Sequence, residues 1–167
     1  MIVKINMKPV DIVLVPVYMP TTYHDDDEIE KLCEEINKIL HHDGRGQVNA
    51  IVMGDFNSIV GKGSRDKVVG LGKRNERGKM LIDFCKQHDL VVMNTCFKKR
   101  KTKLYTSKSP GDYILVKQRF KNSIRDVKTL PGADIDSDHN LLVAEEQTRL
   151  KSIKTLGRGN QNGIWNE

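Results

Sequence analysis

The chain has 167 residues, enough for one domain with a buried core, and a formal net charge of +6 at pH 7. Its longest apolar runs fall far short of the ~20 residues of a membrane helix, and Lys4, Lys8 and Asp11 break the first of them, so neither a span nor a secretory leader is expected. The positive balance favours a polyanionic partner, although a merely soluble basic protein would carry the same charge.

The run Val15-Pro16-Val17-Tyr18-Met19-Pro20 reads as a strand ending in a tyrosine beside a proline. Asp25-Asp26-Asp27 then opens a helix whose apolar positions are Ile29, Leu32, Cys33, Ile36, Ile39 and Leu40. The aspartates suit the positive end of that helix dipole and need no metal. His41-His42-Asp43-Gly44-Arg45-Gly46 ends the helix. Neighbouring histidines point apart on a regular element, so a solvated turn is expected there rather than a metal site.

Ala50-Ile51-Val52 begins a buried strand that runs into Met53-Gly54-Asp55-Phe56-Asn57. Strand alternation would turn Asp55 and Asn57 to one side, a carboxylate and an amide at a strand mouth, where α/β proteins build sites. Taken alone, the motif also reads as a turn. The Gly- and Lys-rich loop from Gly61 to Gly78 contains Gly70-Leu71-Gly72, but Lys73-Arg74-Asn75 lacks the phosphate-loop pattern. Asn75 is expected to cap a helix with apolar positions Met80, Leu81, Phe84 and Cys85. Val91-Val92-Met93-Asn94 reads as a strand with Asn94 toward the cleft.

Phe97-Lys98-Lys99-Arg100-Lys101-Thr102-Lys103 is the densest basic segment. Lys98, Lys99, Arg100 and Lys101 fit a nucleic-acid backbone or a nuclear-localisation signal, and equally a solvated strand edge protected by lysines. Pro110-Gly111 suits a tight turn before Asp112, which opens the strand Tyr113-Ile114-Leu115-Val116. Ser137-Asp138-His139 stands just before the apolar run Leu141-Leu142-Val143-Ala144. From Arg149 to Glu167 the apolar periodicity is lost, so residues 1–147 are expected to form the domain and 148–167 a disordered tail, with Trp165 exposed or docked on a partner. Cys33, Cys85 and Cys96 contain no Cys-x-x-Cys pair, which argues against a thiolate zinc site. Cys33 and Cys85 fall on helical stripes and read as core residues, and a reducing intracellular setting is expected.

Four strands thus each carry a polar or ionisable residue at one end. An Asp-His pair with further carboxylates and an amide suits metal-assisted phosphodiester cleavage, with one base to take a proton from water. Val17-Tyr18-Met19-Pro20-Thr21, Gly54-Asp55-Phe56-Asn57, Arg74-Asn75-Glu76-Arg77-Gly78, Asp112-Tyr113-Ile114-Leu115-Val116 and Ser137-Asp138-His139 follow one another in an order that resembles the endonuclease/exonuclease/phosphatase (DNase I-like) superfamily. The likeness spans roughly residues 10 to 146 and is nearest to RTE- and LINE-type retrotransposon endonuclease domains and the craniofacial development protein 2-like sequences derived from them.

The resemblance implies an α/β fold, a partial sandwich of mixed β-sheets flanked by helices and lacking the first strands. It implies a divalent-metal-dependent phosphodiesterase of the DNA endonuclease type using Mg2+ or Mn2+, with DNA as partner, no membrane, and an intracellular, nuclear setting. Tyr18 resembles the tyrosine that contacts the scissile phosphate, and Asp55 the carboxylate that orients or deprotonates water. Asn57 resembles the phosphate-binding amide, Asp112 the aspartate that orients the histidine, Asp138 a metal ligand, and His139 the phosphate-contacting histidine. Ser137 flanks that motif. Asp138, Asp55 and Asn57 are the metal ligands so implied.

Two departures qualify the likeness. A family asparagine and a metal-ligating glutamate lie upstream of the tyrosine strand and have no counterpart here, so impaired catalysis is expected. The connection before Asp112 is shortened, which puts the aim of Asp112 in question. An exposed sheet face is expected to associate with a protein partner. The alternatives are a catalytically inactive remnant that binds nucleic acid or protein, and a phosphoesterase acting on a phosphoinositide or lipid headgroup.

Overall fold

The computed structural model describes residues 1–7, 10–21, 26–42, 48–61, 72–97, 111–130 and 139–147. The expectations for Asp25, Gly70 and Leu71, Lys98 to Lys103, Ser137, Asp138 and the tail lie outside them.

Chain order among the described residues is β1 (Val3–Ile5), β2 (Ile12–Tyr18), α1 (Asp26–Leu40), β3 (Asn49–Asp55), α2 (Glu76–Gln87), β4 (Leu90–Val92), β5 (Asp112–Lys117), β6 (Ile124–Leu130) and β7 (Leu141–Glu146). Five strands form one mixed sheet in the order β1-β2-β3-β5-β4, and β6 and β7 pair in a second sheet. The β2 and β3 strands are parallel, joined through α1. The other pairings are antiparallel. Pro16 sits within β2, but β1 pairs only with Ile12 to Leu14, so β2 is an edge there and tolerates a proline.

Side-chain alternation divides the core into two. Val15, Val17, Ala50, Val52 and Leu115 pack with Ile36 and Leu40 of α1 and Leu81, Ile82 and Cys85 of α2. Their neighbours Ile51, Ile114 and Val116 pack the other way, with Ile124, Val127 and Leu142 of the second sheet. The result is a helical layer, a five-stranded sheet and a two-stranded sheet, the mixed α/β sandwich expected.

Cys85 is buried in this core, whereas Cys33 is only partly buried against it. Burial pushes the Cys85 thiol up to about 12 and raises that of Cys33. Met80 points outward rather than into the core. The strand expected at 91–94 stops at Val92, and Met93–Thr95 forms a 3-10 turn. Its physical reason is Asn94, whose side chain takes over the pairing with β5: Ile114 N donates to Asn94 Oδ1 (2.9 Å) and Asn94 Nδ2 donates to Asp112 O (3.1 Å).

Asn75 caps α2 as expected, its Oδ1 accepting from Gly78 N (2.8 Å). The same oxygen accepts from Ile59 N (2.9 Å), and Arg74 Nε donates to Val60 O (2.7 Å). The turn after β3 is therefore locked onto the start of α2. Gly78 permits this contact, because a Cβ there would strike the Ile59 carbonyl.

Candidate active site at the strand mouths

Register places the polar strand ends together. Tyr18 pairs with Asp55 across β2 and β3, and Asp55 with Asp112 across β3 and β5. Paired residues project from the same face, here the face turned toward the second sheet. Gly54, just before Asp55, has φ +145°, and a Cβ would run into the Val17 carbonyl. Only glycine lets β2 approach β3 so closely at that point. The pairing continues past the strand ends through Met19 N to Asp55 O and Phe56 N to Gly111 O, both 2.8 Å.

Asn57 reaches the site by a route different from strand alternation. The β3 strand ends at Asp55, and Asn57 has φ +45°, in the left-handed region that asparagine tolerates. Its N–H donates to Asp55 Oδ1 (2.8 Å) and its Nδ2 donates to Met19 O (2.7 Å). These bonds fix the Asp55 carboxylate and aim the amide across the β2 end. Phe56 between them is buried and packs near Tyr113, with ring centroids 6.1 Å apart.

His139 completes the cluster. Its Nδ1 lies 3.0 Å from Asp112 Oδ2, so the carboxylate accepts the ring N–H and sets the tautomer. Nε2 then faces Asp55 Oδ2 at 3.9 Å, too long for a hydrogen bond. Asp55 and Asp112 side chains are only 16% and 14% exposed, against 38% for His139, so the opening is on the histidine side. Gly111 belongs to the same construction, since a Cβ there would press on Asp55 Oδ1.

Asp55, Asp112 and His139 each offer a ligand atom, all within 4.8 Å of one another. Two carboxylates and an imidazole fit a divalent cation such as Mn2+, and the two carboxylates also fit Mg2+. Tyr18 stands beside them, 69% exposed.

Of the expected site residues, Tyr18, Asp55, Asn57, Asp112 and His139 come together at one end of the sheet. The placement of Ser137 and Asp138 lies outside the described residues, as does that of Lys98, Lys99, Arg100 and Lys101. Two residues support the site in roles that their sequence context did not show. Asn94 braces the Asp112 backbone instead of opening to the cleft. Tyr113 accepts from Val60 N (3.2 Å) and donates to Ser58 O (3.1 Å), tying β5 to the Asp55 turn. Burial pushes its hydroxyl up to about 12, opposed by the Val60 N–H and reinforced by the charges of Asp112 and Asp55.

Residues 12–143 match the profile of the endonuclease-reverse transcriptase family. Craniofacial development protein 2 from Bos taurus is 36% identical over 166 residues, covering 93% of this chain. Its counterpart from Tragulus javanicus is 36% identical over 161 residues, covering 90%. The chain spans 28% of the length of these curated relatives. Among solved structures, the endonuclease domain of TRAS1, a telomere-specific non-LTR retrotransposon, matches with a TM-score of 0.63 at 18% identity, over 87% of this chain and 60% of that one. The 3'-5' exonuclease NExo from Neisseria meningitidis gives 0.59 at 14% identity, over 88% and 65%. The AP endonuclease LMAP from Leishmania major gives 0.58 at 14% identity, over 86% and 52%. At such identities these likenesses speak to the fold.

Proposed function

The chain belongs to the endonuclease-reverse transcriptase family, within the endonuclease/exonuclease/phosphatase superfamily, and on that premise we propose that it is a divalent-metal-dependent phosphodiesterase acting on DNA. The observation that carries the reading is the Asp112–His139–Asp55 arrangement at the strand mouths. Asp112 holds the His139 Nδ1 proton and thereby directs Nε2 at the space beside Asp55, where a phosphate oxygen or a water fits. Asp55, held by the Asn57 N–H, orients that water and takes its proton. Tyr18 and the Asn57 amide contact the phosphate from the β2 side, and Ser137 is a further proposed phosphate contact. Asp55, Asn57 and Asp138 are the proposed metal ligands, with Asp112 and His139 within reach. The bound Mg2+ or Mn2+ supplies Lewis-acid stabilisation of the charged phosphate.

Activity of the 167 residues alone is expected to be low. Mg2+ held by one or two carboxylates keeps most of its own waters, so the metal is expected to be weakly held. Proposed partners are DNA, approached through the basic residues Lys98, Lys99, Arg100 and Lys101, and a protein covering Ile2, Val3, Ile5 and Val10, which are exposed along the β1 edge. Among the described residues no helix is long and apolar enough to cross a membrane, and a nuclear setting belongs to the same proposal.

The test is nicking of supercoiled plasmid with Mg2+ or Mn2+, with chelator and with Asp55→Ala and His139→Ala. Expected is slow nicking that needs metal and falls on the order of 10²–10³-fold in each variant. Nicking that survives Asp55→Ala comes from another nuclease and sinks the reading. Absence of nicking with intact DNA binding selects the inactive remnant instead.

A further inference from the structure

A second groove lies on the flank of the sandwich, beside the 3-10 turn whose Asn94 braces Asp112. It has a volume of about 460 Å³ and lies between the turn after β4, the 3-10 segment Gln118–Ser123 and the start of β6. Phe97 and Ile124 give it an apolar wall, and Lys121, Asn122 and Arg125 give it a polar one. The β5 strand opens at Asp112 in the site and closes at Lys117, so the segment that follows it starts from the opposite end of the sheet. The mechanism proposed above uses none of these residues.

We propose that this groove is an accessory site for single-stranded nucleic acid, with Lys121 and Arg125 on the phosphates and Phe97 against a base. This rests on the DNA reading above and deepens it. Charge complementarity selects the ligand. Arg125 is exposed and fixed at the rim by its Nε donating to Gln147 Oε1 (2.7 Å). Lys121 lines the groove together with Cys96 and Asn122. Arg119, stacked 4.9 Å above the Phe120 ring, adds a third cation on the same segment.

Shape and composition favour a single strand over a duplex. A groove combining cations with an aromatic face accommodates a splayed base and its phosphate, whereas a duplex keeps its base faces stacked on one another. The acidic helix α1, with Glu28, Glu30, Glu34 and Glu35, packs on the opposite face of the main sheet, which orients a polyanion toward the groove side.

The experiment is fluorescence anisotropy of a labelled 12-nucleotide single strand with the 167-residue chain, across a salt series. Lys121→Ala with Arg125→Ala should lower affinity at least tenfold. It should also reduce the slope of log affinity against log salt by about 1.4, two phosphates at roughly 0.7 each. Lys121→Arg should retain binding, and thermal melts establish that all variants fold. Loss of nicking in the test of the catalytic reading, with strand binding that still depends on Lys121 and Arg125, leaves this proposal standing and separates the groove from the catalytic site. Unchanged affinity and slope in the double variant overturns it. Displacement of the strand by polyglutamate of equal charge as readily as by unlabelled strand also overturns it, in favour of an acidic protein.

Discussion

Asp112 acts through His139, and its replacement separates orientation from charge. Asp112→Asn keeps size and backbone but presents an amide to His139 Nδ1, favouring the wrong tautomer or a turned ring. Nicking should fall by on the order of 10²-fold or more while the melting temperature changes little. A variant as active as the parent would remove Asp112 from the mechanism. The pairing of Asp112 with His139 was legible because both stand at strand ends in a recognisable order. The position of Asn57 was misread from alternation, since the strand ends at Asp55 and a left-handed residue follows. Nothing in the local sequence marks this change, because Asn57 is aimed by its bond to Met19 O, distant in sequence.

The elements that position the site were legible in proportion to their periodicity. α1, α2, β2, β3, β5 and β7 carry apolar patterns strong enough to read. β1 is three residues long with all of them exposed, so it offers no pattern. β6 alternates, but the register shift between Ile124 and Asp126 interrupts the alternation where it begins. The turn between β3 and α2 depends on Asn75, a cap that also holds Ile59. Asn75→Ala therefore loses both hydrogen bonds to Oδ1 and should destabilise the fold by about 1–2 kcal/mol. Asn75→Asp, which preserves an acceptor, should recover most of that in chemical denaturation. Equal loss in both variants would mean that the cap contributes through shape rather than hydrogen bonding.

The whole molecule has two cores that share the main sheet, and the helix-side core holds protonated groups whose burial makes stability depend on pH. Tyr113 is 5% and Cys85 3% exposed, and each is pushed up to about 12, from 10.0 and 9.0. For Tyr113, burial is the leading cause, with the carboxylates of Asp112 and Asp55 adding to it against the Val60 N–H. A group whose folded value lies above its unfolded one binds more protons in the folded state between the two. Its stabilising contribution is complete below the unfolded value and disappears as pH rises toward the folded one. Stability should therefore be flat near neutrality with respect to these two groups. It should fall from about pH 9 through Cys85 and from about pH 10 through Tyr113, each contributing on the order of a few kcal/mol by pH 12. Urea midpoints measured from pH 7 to 11 check this. Tyr113→Phe should lower the midpoint at pH 7, through loss of the bonds to Val60 N and Ser58 O, but flatten the decline above pH 10. Cys85→Ala should flatten the earlier part. An alkaline decline that persists unchanged in the double variant would place its origin in surface lysines rather than in the core beneath the site.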